Sequence, residues 1–415
     1  MFFYNLDVKI INNENVVSCN IFIIEKLLNH YGMVKFFVIA GESSGDLLGS
    51  ELIKELKTQY PSASFIGVGG KLMQEQGLTS IFPITDLMVM GFVEVVPHLF
   101  TILTRIKQTV LAIKTHQPDY LITIDSPDFC FRVVKKIVKQ PIFNAIKKIH
   151  LVAPSVWAYR PKRAQKIAKL YDLLLALLPF EPPYFTKYRL KTVFIGHPLL
   201  QKMPNLQQIQ ENNLQFRKQY NINLQQTILL ATPGSRMSEI KYLLPIFIEV
   251  INRIWQQKPD LVVILSVTQK TENIMPQMAS KIKARCIFID QNQKDLAFSA
   301  SNYALAKSGT NTLEIAMHQT PMIIAYKANF ISYLIIKFLA KIKFANLLNL
   351  LQNKEIIPEL LQNNCQVNKI YSALLNLMHN KNLAKQQITN CLISLKMMKN
   401  QQNPMQIAVK NIQQL

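Results

Sequence analysis

"VKFFVIAGESSGDLLGSELIKEL" (34–56) is the stretch that decides the fold of this 415-residue chain. Its first seven residues form an apolar run, interrupted only by Lys35, that predicts a buried strand. Leucines at helical spacing then predict a helix that begins within the glycine-containing turn. A strand that passes into a helix in this way is typical of the opening of a doubly wound α/β domain.

The turn itself, "GESSGD" (41–46), has the wrong chemistry for a phosphate loop. Its glycines do not follow the G-x-G-x-x-G spacing, and its two acidic residues would repel a phosphate. Gly41 and Gly45 would permit close backbone approach. We therefore predict a loop that binds sugar hydroxyls through Glu42, Ser43, Ser44 and Asp46, with a cap on the following helix as the alternative role of Asp46.

Short apolar runs recur along the chain and alternate with helical, lysine-rich segments. "SFIGVGG", "DYLITID", "KKIHLVA", "LLLALL" and "TVFIGHP" extend a first parallel sheet, and a polar stretch follows at 201–226. "TILLAT", "LVVILSV", "CIFID", "YALA" and "MIIAY" repeat the pattern as a second sheet, and the end of the chain is predicted to be helical. We expect an α/β protein with two doubly wound, Rossmann-like domains that face each other across a cleft.

The expected ranges follow from this pattern. Residues 33–200 form the first domain, which takes the acceptor, and 201–375 form the second domain, which takes the nucleotide. Residues 376–415 form C-terminal helices, for which packing back on the first domain is one arrangement. Residues 1–32 are expected to be a non-catalytic extension before Met33.

Composition narrows the class of partner without choosing one. The formal net charge of +22 predicts an acidic partner, which leaves nucleic acid, an anionic membrane or a phosphorylated substrate open. Five scattered cysteines without a C-x-x-C pair predict reduced thiols, with neither a disulfide nor a structural zinc site. The apolar segment "NFISYLIIKFLAKIKF" (329–344) is interrupted by lysines, so an interfacial membrane helix and a core-facing helix both remain open.

Two turns of the second domain have groups suited to an anion. "TPGSRMSEI" (232–240) places Arg236 behind a Pro-Gly turn, where a phosphate site and a simple surface turn are the alternatives. "AKSGTNTLEIA" (306–316) places Ser308, Gly309 and Thr310 before a predicted helix. Glu314 stands three residues after Asn311, so it is either part of a capping box or a ligand of ribose hydroxyls.

The first domain offers a carboxylate at a strand end. In "ITIDSPDF" (122–129), Asp125 follows the strand directly and could act as a general base, while a turn cap is the alternative for Asp125 and Asp128. The sequence contains no D-x-D, H-E-x-x-H or G-x-x-x-x-G-K-[ST] motif, so neither a metal-dependent nor a P-loop mechanism gains support. His98 and His197 suit packing and turn roles better than catalysis.

Long motifs in a fixed order resemble the lipid-A-disaccharide synthase family. They are "IAGESSGDLLG", "GVGGKLMQEQGL", "DLMVMGFVEVVPHL", "IDSPDF", "APSVWAYRPKRAQKIAK", "LLALLPFEPPYF", "FIGHPLL", "TPGSRMSEI", "SGTNTLEIAMHQTPMIIAY" and "NKEIIPELLQ", and they extend from about residue 33 to about residue 365. The resemblance implies an inverting glycosyltransferase of the GT-B fold, peripheral on the cytoplasmic face of the inner membrane of Gram-negative bacteria.

The resemblance also implies the reaction and its partners. A 2,3-diacylglucosamine unit passes from UDP-2,3-diacylglucosamine to 2,3-diacylglucosamine 1-phosphate (lipid X), which gives a β-1,6-linked disaccharide and UDP in lipid A biosynthesis. It implies no metal and no other cofactor, an anionic membrane surface as partner and no nucleic acid. A homodimer is left open.

Carried onto this sequence, the family pattern assigns roles to individual residues. Asp125 matches the base that deprotonates the acceptor 6-hydroxyl, and Asp128 joins the residues of the 41–46 turn on the sugar and acceptor side. Asn349 matches a family asparagine, although Leu348 replaces the proline that usually precedes it. The predicted UDP ligands are Arg236, Ser308, Gly309, Thr310, Glu314 and Asn349.

Two rival interpretations remain. Another GT-B enzyme, one that uses a UDP-sugar to make a cell-wall precursor, would share the turns of the second domain. It would lack "GESSGD", "IDSPDF" and "PSVWAY". A non-catalytic nucleotide-sensing or membrane-binding protein of this fold is the other alternative, and the presence of Asp125, Arg236 and Asn349 argues against it.

Overall fold

The computed structural model describes residues 33–87, 95–268, 271–327 and 343–415. The strands are β1 Lys35–Ala40, β2 Ser64–Val68, β3 Leu78–Ser80, β4 Tyr120–Ile124, β5 Lys147–Leu151, β6 Leu173–Ala176, β7 Lys191–Phe194, β8 Ile228–Thr232, β9 Val262–Ser266, β10 Arg285–Ile289, β11 Tyr303–Lys307, β12 Met322–Tyr326 and β13 Glu359–Leu361. They form two parallel sheets, in the orders β3-β2-β1-β4-β5-β6-β7 and β10-β9-β8-β11-β12-β13. The predicted α/β class is thus confirmed.

The helices follow the strands as crossover connections. They are α1 Ser43–Gln59, α2 Lys71–Glu75, α3 Val95–His116, α4 Pro127–Val138, α5 Arg163–Ala168, α6 Pro183–Thr186, α7 Leu206–Gln219, α8 Met237–Gln257, α9 Met275–Met278, α10 Lys294–Ala300, α11 Asn311–Met317, α12 Leu347–Gln352, α13 Val367–His379, α14 Lys381–Met397 and α15 Pro404–Gln413. Short 3₁₀ turns lie at Ile84–Asp86, Pro141–Phe143, Pro198–Lys202 and Gln362–Asn364. No helix within the described ranges is long and apolar enough to span a bilayer.

Every apolar run predicted to be a strand contains a strand, and central strands such as β1, β4 and β8 are almost completely buried. All five residues of β8 are buried, and so are residues 36–40 of β1. Around Phe36, aromatic rings stack at centroid distances of 5.2 Å to Phe65 and 5.0 Å to Tyr120. Burial on both faces explains why these strands read as continuous apolar runs rather than alternating ones.

Both sheets reverse their strand order at a central strand. In the first sheet β1 lies between β2 and β4, and in the second β8 lies between β9 and β11. The loops that leave the carboxyl ends of two such neighbouring strands diverge to opposite faces and leave room for a ligand. The loops after β1 and β4, and those after β8 and β11, therefore have the positions that bind ligands in open α/β sheets.

The chain divides into two compact units that do not coincide with the predicted domain ranges. One unit holds residues up to 151 together with 170–172, and the other holds 152–169 and 173–414. The predicted boundary at residue 200 lies between β7 and β8, where the chain passes from one sheet to the other. The domain ranges stay a prediction.

The C-terminal segment predicted as helix is two helices, α14 and α15, with a break at 398–403. The break hydrogen-bonds to the chain just after β7. His197 N donates to Met398 O at 2.9 Å, and Asn400 Nδ2 donates to Phe194 O at 3.3 Å. A Cβ on Gly196 would lie only 3.0 Å from Asn400 N, so the glycine permits this close contact.

Some predictions fall outside the described residues. They concern the extension 1–32, Cys19, most of the lysine-flanked segment 329–344, and the side chain of His98. The other four cysteines, Cys130, Cys286, Cys365 and Cys391, are free thiols.

Candidate active site

The loops that follow β1 and β4 contact each other at Gly41 and Ser126. A Cβ placed on Gly41 would lie 2.3 Å from Ser126 Oγ and 2.7 Å from Ser126 Cβ. A Cβ on Gly45 would lie 3.2 Å from Ala40 Cβ. Gly41 thus leaves no room for a Cβ, and this contact places the 41–46 turn directly against Ser126, the residue that follows Asp125.

Asp125 leaves β4 in a strained conformation. The φ angles of Asp125 and Ser126 are 49° and 41°, in the left-handed region that residues with a Cβ seldom adopt. Asp125 N donates to Leu151 O at 2.9 Å, which anchors the turn to β5. Two consecutive residues held there cost free energy that the surrounding packing must offset, and such strain is concentrated at functional sites.

The Asp125 carboxyl group lies in a partly buried position. Burial raises its pKa above the ordinary value, and a hydrogen bond from the backbone of Ser126 partly opposes the shift. A carboxylate that is poorly solvated holds a proton more tightly, so it is a stronger base than an exposed aspartate. This property is the one a general base requires.

The other predicted sugar ligands lie around the same two loops. Glu42 is half-buried at the N-cap of α1, and Ser43 and Ser44 are exposed in its first turn. Asp128 is exposed in the first turn of α4. These side chains are therefore grouped at the carboxyl ends of β1 and β4, although the roles of individual residues stay predictions.

Asp46 differs from its neighbours because its carboxylate is used within the fold. Its Oδ1 accepts from Gly70 N at 2.8 Å and Met73 N at 3.1 Å, and its Oδ2 accepts from Leu72 N at 3.1 Å. The residue is 7% exposed. Asp46 thus caps α2 rather than its own helix, and three backbone bonds leave the carboxylate poorly placed as a sugar ligand.

The loops after β8 and β11 line a pocket of about 260 Å³. Its wall includes the turn Gly234–Arg236, the loop residues Gly309 and Thr310, and side chains from the ends of β9 and β10 such as Ser266 and Asp290. The structure therefore brings the two predicted anion loops to one pocket. Thr232, 2% exposed at the end of β8, lines it too, and its Oγ1 has no hydrogen-bond partner among the described residues.

Glu239 is the centre of the charge arrangement in this pocket. Its Oε1 lies 2.9 Å from Lys307 Nζ and 3.3 Å from Arg236 Nη1, and its Oε2 accepts from Ser235 N at 3.3 Å. A Cβ on Gly234, whose φ is 127°, would lie 2.6 Å from Glu239 Oε2. Only glycine allows the carboxylate this close to the turn.

Glu314 pairs with a lysine and makes no capping box. Lys294 Nζ lies 2.7 Å from Glu314 Oε2 and 3.0 Å from Asn311 Oδ1. Thr310 is the N-cap of α11, and no side chain caps that end. The capping-box alternative is wrong because Asn311 is already the first helical residue, so its side chain points to Lys294 and not to the helix end.

Ser308 and Asn349 both form hydrogen bonds within the protein. Ser308 Oγ donates to Ala345 O at 3.4 Å, which connects the β11 loop to the chain before α12. Asn349 is completely buried; its Oδ1 accepts from Ile356 N and Ile357 N, at 2.8 and 2.9 Å.

Both donors of the Asn349 amide are also satisfied. Its Nδ2 donates to Ile357 O and to Glu359 Oε1, each at 2.8 Å. Glu359 in turn accepts from Ala345 N at 2.7 Å and Asn346 N at 3.0 Å. The amide has no remaining donor for a nucleotide, so the structure opposes a direct UDP contact and makes Asn349 a support of the segment beside Ser308.

A second buried carboxylate, Glu181, lies in the "LLPFEPPYF" motif. Its two oxygens accept from Trp157 Nε1 at 3.2 Å and Leu178 N at 3.1 Å, and the residue is 3% exposed. Burial raises its pKa to about 7, against the opposing effect of these hydrogen bonds. This glutamate belongs to a motif that carries the family resemblance, and no role was predicted for it.

The chain can now be compared with known proteins. A family model described as lipid-A-disaccharide synthetase matches residues 36–412, which include both sheets. The chain belongs to this family. The lipid-A-disaccharide synthase of Rickettsia akari (strain Hartford) is 42% identical over 386 residues, 92% of this chain and 96% of that protein. The one of Rickettsia bellii (strain OSU 85-389) is 44% identical over 360 residues, 86% and 92% of the two chains.

Solved structures with low sequence identity share the fold of this chain. The S. aureus MnaA–UDP co-structure matches with a TM-score of 0.59 and 14% identity over 92% of this chain and 95% of its own. A glycosyltransferase from Rickettsia africae ESF-5 matches with a TM-score of 0.52 and 14% identity, over 92% and 98%. The GT-B fold is thus confirmed, and family membership makes the chain a glycosyltransferase of lipid A biosynthesis.

Several residues of the pocket were not predicted from the sequence. Thr232 and Glu239 lie within "TPGSRMSEI" and Lys307 lies within "AKSGTNTLEIA", but no role was predicted for any of them, and Lys294 lies in neither stretch. Thr232 and Lys307 are the last residues of the two central strands, β8 and β11, and this position at a strand end is the feature of the sequence that could have predicted them. Among the described residues, no cluster of His, Cys, Asp and Glu side chains is arranged to hold a metal ion.

Proposed function

We propose that the protein is a lipid-A-disaccharide synthase. It transfers 2,3-diacylglucosamine from UDP-2,3-diacylglucosamine to 2,3-diacylglucosamine 1-phosphate (lipid X), and forms the β-1,6-linked tetraacyl disaccharide 1-phosphate and UDP. The observation that carries the proposal is the family match over residues 36–412, together with relatives of that name at 42% to 44% identity.

The pocket of the second sheet is the proposed site for UDP. Arg236 and Lys307 supply cations there, and Ser308, Gly309 and Thr310 form the loop beside them. Such donors suit a diphosphate, since charge-assisted hydrogen bonds to phosphate are stronger than neutral ones. Proteins of the same fold have been solved with UDP, among them S. aureus MnaA and the UDP-GlcNAc 2-epimerase of Methanocaldococcus jannaschii. Glu314 is the proposed ligand of the ribose hydroxyls.

Asp125 is the proposed general base of the reaction. Its carboxylate removes the proton of the acceptor 6-hydroxyl as that oxygen attacks the anomeric carbon of the donor. The bond from this carbon to the β-phosphate oxygen breaks, its electron pair stays on UDP, and the configuration inverts. The raised pKa of Asp125 supports the assignment because the base must hold the proton it receives.

Charge neutralisation replaces a metal ion in this proposal. The departing UDP gains negative charge, which fixed cations such as the Arg236 guanidinium can stabilise without a metal. On the acceptor side, Glu42, Ser43, Ser44 and Asp128 are the proposed ligands of sugar hydroxyls. The net charge of +22 supports a peripheral position on the anionic cytoplasmic face of the inner membrane, where both lipid substrates reside.

One assay tests the reaction. Purified protein is incubated with UDP-diacylglucosamine and lipid X in the presence of a chelator, and the disaccharide product is measured. If folded protein forms no disaccharide, the proposed activity is wrong. If product appears only after a divalent metal is added, the metal-independent mechanism is wrong.

The role of Asp125 is tested by Asp125→Asn. We expect kcat to fall about 100- to 10,000-fold, as on removal of a general base, while the Kd for UDP changes less than about twofold. Asp260→Asn removes the same charge from an exposed turn residue and should match the wild type. Parallel losses of turnover and UDP affinity in Asp125→Asn would instead make the residue structural.

A further inference from the structure

Lys307 and Glu239 connect the two loops of the nucleotide pocket. Lys307 is the last residue of β11, and Glu239 lies in the first turn of α8, after the β8 loop. Their ion pair has an Nζ to Oε1 distance of 2.9 Å, and the two side chains are only 20% and 11% exposed. The pair is therefore a partly buried feature of the pocket and not a surface salt bridge.

The Lys307 ammonium lies close to the β11 loop, in the pocket proposed to bind the diphosphate. A Cβ on Gly309 would be 3.5 Å from Lys307 Nζ, so the lysine folds back over its own loop. Its Nζ also lies 5.7 Å from the centroid of the Tyr326 ring, which restricts its rotamers. An ammonium has three donors, so the bond to Glu239 leaves others for a ligand.

Glu239 holds two of the cations that line the pocket, Lys307 and Arg236, through one oxygen. Its Oε1 is shared by Lys307 and Arg236, while Oε2 accepts from Ser235 N. Because Glu239 binds Lys307, Arg236 and the backbone of Ser235 at once, it holds the two cationic side chains, which come from different loops, in defined positions. Preorganised cations need not be reoriented when a charged ligand arrives.

Thr232 gives an independent indication of a ligand. Its hydroxyl is buried beside these cations, lines the same pocket, and has no hydrogen-bond partner among the described residues. A buried hydroxyl without a partner costs free energy, and native proteins seldom leave one so. A polar ligand atom in the pocket would satisfy it.

We propose that Lys307 is a further phosphate-binding residue of this site and that Glu239 positions it. The proposal rests on the assignment of this pocket to UDP. As the bond between the anomeric carbon and the β-phosphate oxygen breaks, its electron pair passes to that oxygen, and the Lys307 ammonium stabilises the added charge without giving up its proton. Glu239 acts through Lys307 and Arg236 and touches no substrate.

The first test compares Lys307→Met, Lys307→Arg and the control Lys241→Met. Lys241 is exposed on α8, so its loss changes the net charge equally without altering the pocket. Calorimetric titration with UDP and with uridine separates phosphate binding from nucleoside binding. We expect Lys307→Met to weaken UDP about 10- to 100-fold, the usual value of a charge-assisted hydrogen bond, with uridine unchanged. Lys307→Arg should remain within about fivefold of the wild type.

The second test places Glu239→Gln in the wild type and in Lys307→Met. If Glu239 acts through Lys307, the single substitution lowers UDP affinity, and the same substitution in Lys307→Met has at most half that effect on log Kd. A Glu239→Gln variant that binds UDP more tightly would make the glutamate a competitor of the ligand and overturn its positioning role.

The outcomes separate the two proposals. The proposed role of Lys307 is overturned if Lys307→Met binds UDP as tightly as the wild type does, or if its affinities for UDP and for uridine fall equally. A wild-type protein that binds UDP yet forms no disaccharide overturns the proposed function alone. A wild-type protein that binds no UDP overturns both. Matching circular dichroism spectra and melting temperatures show that each variant is folded.

Discussion

Gly41→Ala should disrupt the turn that holds Asp125. The added Cβ would lie 2.3 Å from Ser126 Oγ, more than 1 Å inside an ordinary contact, and 2.7 Å from Ser126 Cβ. Ser126 cannot give way easily, because its φ of 41° is already in the left-handed region and Asp125 before it is at 49°. The substitution must therefore move β1, or move the residue adjacent to the proposed base.

The magnitude follows from these contacts. Overpacking by one methyl group typically costs about 1–3 kcal/mol, and we expect Gly41→Ala to lower the free energy of unfolding by that amount. Ser126→Gly removes both contacting atoms and also relieves left-handed strain of about 1–2 kcal/mol. The double variant should recover most of the loss, with a coupling energy of about 1–2 kcal/mol between the two positions.

Unfolding in urea and disaccharide synthesis measure the two consequences. A shift of about 1 Å in a catalytic group can lower turnover about 100-fold, so kcat should fall in Gly41→Ala and recover in the double variant. Gly49→Ala is the matched control, since its Cβ would meet only the flexible Met73 side chain and Ser126→Gly should not rescue it. Effects of Gly41→Ala and Ser126→Gly that simply add would refute the interlock.

Two further substitutions test residues whose burial the structure establishes. Glu181→Gln should remove one pH-dependent contribution to stability. The folded-state pKa of about 7 exceeds the ordinary 4.5, so the stabilisation contributed by Glu181 is fully present below pH 4.5 and falls by up to roughly 3 kcal/mol as the pH rises to 7; thermal midpoints of variant and wild type across this range measure it. An unchanged pH profile in the variant would contradict the buried state of Glu181. Asn349→Ala should lower the free energy of unfolding by about 2–4 kcal/mol because it leaves buried partners unsatisfied, including Ile356 N and Glu359; full stability with loss of UDP affinity would restore it as a nucleotide ligand.

The fold was predictable because burial acts on contiguous residues. A strand such as β8, in which four of the five buried residues are apolar, can be predicted without knowledge of its neighbours. The two strands missed, β3 and β13, have three residues each and lie at sheet edges, where little is buried and no apolar run is needed. The break between α14 and α15 was missed because the lysine- and glutamine-rich sequence around it suits a helix as well as a loop.

Only those site residues that lie just after a predicted strand could be predicted from the sequence. Asp125 follows β4 directly and Arg236 lies in the turn after β8, so their sequence position alone brings them to a ligand edge. Asp46 and Asn349 were given ligand roles although their side chains are used by backbone groups that only the folded chain brings near. A motif can thus indicate that a polar residue has a role, but only its hydrogen-bond partners in the folded chain show whether that residue binds a substrate or stabilises the protein.

The hydrogen bonds between the 398–400 break and the end of β7 have a consequence for biosynthesis. β7 is an edge strand of the first sheet, and the groups that hold its end are 206 residues downstream at Asn400. A nascent chain can therefore assemble most of that sheet early on the ribosome, but its last strand stays incompletely anchored until residue 400 emerges. An exposed strand edge invites pairing with other chains, so stalled or prematurely terminated translation products should be prone to aggregation.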